Sequence, residues 1–338
     1  MKAWMRKLIV ILKSSKLKKT IIFGNENEYE DTLNIDIVGY KYLSALKDNF
    51  VVKISNLTYK EIVTLISGQY YDIEIKAGYI SSGINTIFKG SVLYISNALN
   101  DRKTHTCIIL CTSNLVAKFG QNRMNLSLQS GINMYSALKF ICKQAGIQNS
   151  NVNEEFKNKI IHETVNVSST ASSFLDSFCT NNSFVINSDS SYGTDISIWN
   201  PYRKDNRLIK LDDTKIILTS GYPKLTSDGL SIELLPTYNF MCGDTIQLDN
   251  SIIDISVYSK EETYSNLGYY LDETGKYMIY QIEYHLQNRN SDFSIKMLCK
   301  SRNLISKLTG IEGYINGWYK IFRNKNDFIW FFKSFIST

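Results

Sequence analysis

Period-two alternation of apolar and polar residues between Gly221 and Tyr284 constrains this chain more than any other feature. Ser231, Ile232, Glu233 and Leu234 alternate, as do Thr245, Ile246, Gln247, Leu248 and Asp249, and residues 277–284 do so more loosely. Successive side chains of a strand point to opposite faces, so such runs build half-buried strands. Pro223 in a Gly-Tyr-Pro turn, Gly229 after Asp228, and Gly243 before Asp244 mark places where the chain reverses. The stretch predicts an antiparallel barrel or sandwich and requires no acid, base or nucleophile.

The same texture opens the chain. Residues 7–13 and 19–23 read as a hairpin, 33–39 alternate cleanly, and 50–54 form a further strand. Asn56, with Thr58 beside it, is read as the N-cap region of a helix over 59–67, where Ile62, Val63, Leu65 and Ile66 recur at helical spacing and Gly68 follows. Residues 70–77 alternate again, Gly78-Tyr79 turns, residues 87–92 lead into a strand, and 104–112 are almost continuously apolar. Residues 1–125 are therefore expected to form a first β domain.

Between 126 and 200 the pattern changes. Met134, Leu138, Ile141 and Cys142 define an amphipathic helix over 133–145, closed by Gly146. Ser168-Ser169-Thr170 is expected to start a second helix carrying Phe174, Leu175 and Phe178 on one face, and 183–187 with 195–199 suggest a small hairpin. This predicts a small α+β insert. The second β domain then spans 201–302, with 209–211 and 215–218 leading in and 293–299 closing it. Residues 303–338 are an aromatic-rich tail in which Tyr314, Trp318 and Phe322 share one helical stripe; it is read as a helix packed on its own domain or as a docking element. No sequence-level repeat relates the two β domains.

A length of 338 residues favours two or three domains over one core. The abundance of Tyr (22) against Pro (3) suits a strand-rich chain. The net charge of +6 has a basic start at Lys2, Arg6, Lys7, Lys13, Lys16, Lys18 and Lys19, read as solvated strand lysines rather than a nucleic-acid or membrane patch. The apolar run 8–12 is too short for a signal peptide, and no segment reaches the ~18 apolar residues of a membrane span, so no stable membrane association is expected. Cys107, Cys111, Cys142, Cys179, Cys242 and Cys299 form no Cys-x-x-Cys pair and read as reduced thiols, with no zinc site and no cofactor expected.

Candidate chemistry is sparse. Glycosidases need two carboxylates at fixed separation. The group Glu26, Glu28, Glu30 and Asp31, the pair Glu154-Glu155, Asp189-Ser190-Ser191 and Glu261-Glu262 all read as solvated loops. His105, His162 and His285 each stand alone, without the helical pairing of a metallopeptidase, and no phosphate-binding Gly-x-x-x-x-Gly-Lys motif occurs. No catalytic, cofactor-binding or metal residue is assigned.

One resemblance rests on the order of these pieces. Gly221, Pro223, Gly229, Leu234, Leu235, Gly243, Asp244, Gly275, Tyr277 and His285 follow the pattern of the baseplate hub proteins of tailed bacteriophages, the late-control D and contractile-tail hub family. The first domain resembles theirs over 51–57, 59–67 and 73–77, then at Gly78, Tyr79, Ile87, Phe88 and Gly90. The resemblance covers most of 30–125 and 215–300 and excludes the 303–338 tail. It implies a mainly β, α+β chain with two tail-tube-like antiparallel β-barrel domains, a small α+β insert between them and a C-terminal aromatic helical tail. It further implies a virion structural protein, assembled in the bacterial host cytoplasm. Three copies would present six barrels, so that a homotrimer joins a tail tube or tube-initiator protein, a central spike and other baseplate proteins, with DNA passing transiently. Alternatives are the hub of a related contractile injection system or tailocin, a peptidoglycan-degrading tail enzyme and a carbohydrate-binding module.

Overall fold

The computed structural model describes residues 6–14, 17–24, 33–68, 72–80, 83–100, 104–182, 184–188, 196–201, 207–211, 222–226, 229–254, 271–272, 274–289 and 291–301. The aromatic tail 303–338, Glu26, Glu28, Glu30, Asp31, Asp189, Ser190, Ser191, Gly221, Glu261, Glu262 and the 215–218 strand expectation all lie outside these residues.

One large sheet dominates the described residues. Its strands are β1 (Arg6–Ser14), β2 (Lys19–Phe23), β3 (Asn34–Tyr42), β4 (Asn49–Ser55), β5 (Asp72–Tyr79), β6 (Gly83–Asn100) and β7 (Thr104–Thr112) from the first part of the chain. In the insert, β8 (Arg123–Leu128), β9 (Ser150–Val152), β10 (Val165–Thr170), β11 (Val185–Asn187) and β12 (Ile196–Trp199) form two separate small sheets, whereas the last part of the chain supplies the large sheet with β13 (Leu208–Lys210), β14 (Lys224–Thr226), β15 (Gly229–Leu234), β16 (Thr245–Gln247), β17 (Lys276–Gln287) and β18 (Phe293–Ser301). A 13-stranded sheet runs β14-β15-β18-β17-β3-β4-β7-β6-β5-β1-β2, with β16 beside β17 and β13 beside β16. The two sequence-distant β regions are thus sewn together by antiparallel pairing of β17 with β3, from Gln281↔Tyr42 to Gln287↔Asp36. Asn288 extends the seam, donating Nδ2–H to Leu33 O at 2.9 Å and accepting from Ile35 N–H at 2.9 Å.

Alternation dictates where the core lies. Ile35, Ile37, Phe50, Val52, Ile54, Cys107, Ile109, Ile279, Ile282, Leu286, Ile295 and Met297 project to one face and form a single apolar core with residues of β1, β5 and β15. Phe50 stacks on Phe88 at 4.2 Å and tilts against Tyr284 at 5.4 Å. The alternation makes a mainly β chain, and both expected β regions contribute to one continuous sheet over one core.

Helix α1 (Tyr59–Ser67) keeps its predicted limits, but its cap differs from expectation. Thr58, not Asn56, is the N-cap, in a capping box with Glu61. Asn56 instead adopts a left-handed φ of 70° in the turn before it. Gly78 and Tyr79 continue β5 rather than turning, because β5 pairs with β6 through Tyr79↔Gly83.

The insert has its own core, from Leu115 and Met124 through Leu138, Ile141 and Phe156 to Ile198. Around it pack α2 (Asn114–Phe119), α3 (Met134–Gln144) and α4 (Ala171–Asn181). Asn133 caps α3 by accepting from Ser136 N–H at 2.7 Å. At the other end Gly146 takes φ 87°, its N–H reaching Lys143 O and the Ile147 N–H reaching Cys142 O. Ser168 and Ser169 complete β10, paired antiparallel with β8 along the run from Val165↔Leu128 to Thr170↔Arg123, and Thr170 both ends that strand and serves as the N-cap of α4, as the expected helix start requires. The expected hairpin is β11 with β12, to which β9 adds a parallel third strand.

Candidate functional site

Four of the motif residues, Gly243, Asp244, Gly275 and Tyr277, sit at two buried polar turns. At the first, Gly243 takes φ 92° and its backbone lies against Trp199 and Val185 of the insert. The turn lets Asp244 fold back and accept from Met241 N–H at 2.9 Å. Arg207 clamps the same carboxylate, with Nε at 3.1 Å and Nη2 on the second oxygen, while Nη2 also donates to Asn239 O at 2.7 Å. Tyr238 covers the guanidinium at 5.5 Å. Bidentate pairing of a planar guanidinium with a carboxylate is rigid and directional. Asp244 is consumed by this clamp and fixes the start of β16, whose Thr245 N–H donates to Arg207 O at 2.9 Å.

The second turn centres on Asp272, which is fully buried. Its carboxylate accepts from Thr274 N–H (2.8 Å), Thr274 Oγ1–H (2.6 Å), Lys276 N–H (3.3 Å) and Ser301 Oγ–H (3.2 Å). The Tyr277 hydroxyl donates to Asn250 Oδ1 at 2.7 Å, and Asn250 Nδ2–H donates to Asp272 O at 2.7 Å. Burial pushes the Tyr277 hydroxyl up to about 12. A buried carboxylate with this many donors is a structural anchor. Gly275 is required in the middle: at φ 66°, an added Cβ would stand 2.1 Å from Leu248 O. Arg207, Asp272 and Asn250 carry these knots, and neither periodicity nor spacing singled them out.

The remaining candidates are dispersed. His285 lies within β17 and pairs with Glu283 at 2.8 Å, while Tyr40 hydrogen-bonds the same Glu283, which raises its hydroxyl pKa. His105 contacts Asn97 at 3.1 Å and the Tyr59 ring at 5.7 Å. His162 offers its backbone oxygen to Ser130 Oγ–H. Glu154 and Glu155 lie in an exposed 3-10 turn, Glu154–Asn158, where Glu154 meets Lys157 at 3.1 Å. All six thiols are free and buried. Among the described residues no group of three or more His, Cys, Asp or Glu could hold a metal ion, and no helix is long and apolar enough to cross a membrane.

What the sheet does offer is a surface. Register carries one outward row across β6, β7, β4, β3, β17 and β18: Tyr94↔Leu110, Leu110↔Val51, Val51↔Val38, Val38↔His285 and His285↔Ser294. Tyr94 is 59% exposed and Leu110 38%, beside Leu93 at 61%. Leu93 sits at the register shift between Val92 and Tyr94, so a bulge turns it outward. α1 adds Tyr59, Val63 and Ile66, exposed along the flank beside its buried Ile62 and Leu65. The edge strand β2 exposes Ile22 and leads off with Lys18 and Lys19.

The fold is that of bacteriophage tail proteins. The structure is similar to the 43 kDa tail protein of prophage MuSo2 from Shewanella oneidensis, with a TM-score of 0.52 at 8% identity over 88% of this chain and 97% of that one. The tail protein of Neisseria meningitidis MC58 gives a TM-score of 0.52 at 7% identity, covering 89% and 98%. The E. coli c3393 protein, a type VI secretion component described as similar to T4 tail proteins gp27 and gp5, gives 0.50 at 8% identity, covering 79% and 73%. No protein-family model and no curated protein matches the sequence.

Proposed function

We propose that this chain is a structural subunit of a phage tail, the baseplate hub, which assembles as a homotrimer between tail tube and central spike. The observation that carries this reading is the outward row through Tyr94, Leu110, Val51 and Val38, apolar surface on a continuous sheet whose fold is shared with tail proteins. Exposed contiguous apolar surface marks protein contacts. Asp244, the motif carboxylate among the described residues, is committed to a turn, and the role we infer is mechanical: join copies into a ring, hold the spike, and leave a channel for DNA. A wall poor in Lys and Arg would let DNA pass without tight phosphate contacts. Assembly would take place in the host cytoplasm before the subunit enters the virion baseplate. The likeness to a type VI secretion component favours, as second reading, the hub of a contractile injection system.

Light scattering of the purified chain tests the reading. A trimer is expected, reduced to monomer by combined Tyr94→Lys and Leu110→Lys substitution with unchanged circular dichroism. A wild-type chain that stays monomeric at tens of micromolar, alone and with its tube and spike proteins, would overturn it. Clearing of peptidoglycan in a zymogram would instead support a tail enzyme.

A further inference from the structure

We propose that the carboxyl of Asp48 is a proton-operated clasp that sets how firmly the α+β insert is held against the sheet. Asp48 ends the 3-10 turn Ala45–Lys47, which connects β3 to β4 and is the strip of sheet on which the insert docks. Two contacts cross here: the Ile186 N–H of β11 donates to Leu43 O at 2.8 Å within the parallel Ser44↔Ile186 bridge, and Lys47 pairs with Asp176 of α4 at 3.1 Å. The Ser44 hydroxyl is buried there with no hydrogen-bond partner among the described residues, so the join is imperfectly satisfied.

Directly beside these contacts lies a cleft of about 320 Å³, lined by Lys41, Tyr42, Asp48, Ile186, Met241 and Cys242. It therefore opens between sheet, insert and the Asp244 turn. Asp48 is only 8% exposed. One of its oxygens accepts from Tyr42 N–H at 2.9 Å. The groups facing it are the Lys41 ammonium from β3, the Cys242 thiol from the turn before β16 and the Tyr284 hydroxyl from β17. Lys89 of β6 lines the same cleft but pairs with Glu74 at 4.0 Å. Burial holds Cys242 and Tyr284 far above their ordinary ranges, so both stay neutral.

Burial likewise raises Asp48, to about 7, against the opposing pull of Lys41 and the Tyr42 amide. The closed clasp therefore binds the proton more tightly than an opened, hydrated cleft does. Opening becomes easier as pH rises from the ordinary aspartate range to about 7, and levels off above it. A charged carboxylate this deeply buried draws in water, and the neighbouring cleft, lined in part by Asn187, Ser188 and Asn239, has room for it.

Hydrogen exchange on the full chain, corrected for intrinsic rates, tests this between pH 5 and 8.5. Protection of the peptide holding Ile186 should fall by up to about tenfold per pH unit toward pH 7, the limit for one proton, then flatten. Asp48→Asn should remove that dependence, while β4 amides stay protected in both proteins. Lys41→Met, which removes the opposing cation, should move the plateau to higher pH. The same pH profile in wild type and Asp48→Asn would overturn the clasp. Should Asp48→Asn not fold, an unmoved plateau in Lys41→Met would overturn it equally.

Discussion

Tyr79 of β5 meets Phe293 of β18 edge-on, with ring centroids 5.3 Å apart at 78°, although β17, β3, β4, β7 and β6 lie between them in the sheet. A flat sheet would hold these rings far apart, since neighbouring strands are spaced by roughly 4.8 Å. The sheet therefore curls until its fifth strand faces its last. Asn85 Nδ2–H, donating to Thr237 O at 3.3 Å, ties the same two regions. Phe293→Ala should cost about 3–5 kcal/mol of unfolding free energy. A double-mutant cycle with Tyr79→Ala should show about 0.5–1.5 kcal/mol of coupling. Strictly additive losses in urea denaturation would mean the rings do not depend on each other.

Gly39 and Phe50 form a second such dependence. The Phe50 ring lies over β3 where Gly39 has no side chain, and an added Cβ would stand 2.2 Å from the ring. Gly39→Ala should destabilise by about 1–3 kcal/mol, the range for overpacking a filled core. Because the obstacle is a side chain, Phe50→Leu in the same protein should make the glycine replacement nearly neutral. Equal costs in both backgrounds would show that the backbone of β3, not the ring, resists the change.

These two sites show what periodicity can and cannot deliver. β7 matches its expected limits, and α1 does too, because burial of alternate or helically spaced residues is written locally. The Thr58–Glu61 capping box is also readable from its spacing, although Asn56, two residues earlier, competes with Thr58 as a cap. The short strands β8, β9 and β10 were lost because three to six residues carry too little pattern, and Ser168–Thr170 resembles a helix start as much as a strand end. Pairing of β17 with β3 joins segments at opposite ends of the chain, and no local rule chooses that partner. Asp48 and Asp272 likewise look like ordinary loop aspartates until the fold buries them.

Thiol chemistry gives a third prediction. Burial pushes Cys107 up to about 11 and Cys142 up to about 12, and holds Cys111, Cys179, Cys242 and Cys299 higher still. The thiolate is the reactive species, so the folded chain should be almost inert to iodoacetamide at pH 8. In denaturant all six thiols should label, since none is in a disulfide. Mass spectrometry counts the adducts. Rapid labelling of one cysteine in the native chain would locate a region that opens far more often than its burial implies.

Helix α1 supplies a prediction with a pH sign. Thr58 N–H and Oγ1–H donate to Glu61 Oε2 at 2.7 and 2.8 Å, which holds the Glu61 carboxyl below the ordinary glutamate range. Its folded value is depressed, so the cap is present above the unfolded glutamate value and is lost as pH falls through the folded one. Thr58→Ala should cost about 1 kcal/mol near neutrality and progressively less below pH 4. A cost that stays constant down to pH 3 would assign the loss to the bond that Thr58 Oγ1 accepts from Glu61 N–H, which does not titrate, and not to the Glu61 carboxylate.

The Arg207–Asp244 clamp yields the largest single-site electrostatic effect expected. Asp244 side-chain exposure is 5% and Arg207 is 38% exposed, so one partner is desolvated and the other only partly. Removing one member of a fully buried pair costs about 3–5 kcal/mol. With Arg207 able to turn toward water, Asp244→Ala should cost about 2–3 kcal/mol, mostly through the Met241 N–H left without its acceptor. Arg207→Ala should cost a similar amount for the opposite reason, because the buried carboxylate keeps its charge and loses its guanidinium partner. Arg207→Met with Asp244→Leu would remove both charges, and should recover part of the loss if desolvation is the dominant cost. Thermal unfolding of the four proteins separates these terms. A double variant no better than either single one would place the clamp's value in the geometry of the Gly243 turn, where it aligns β16 against β17.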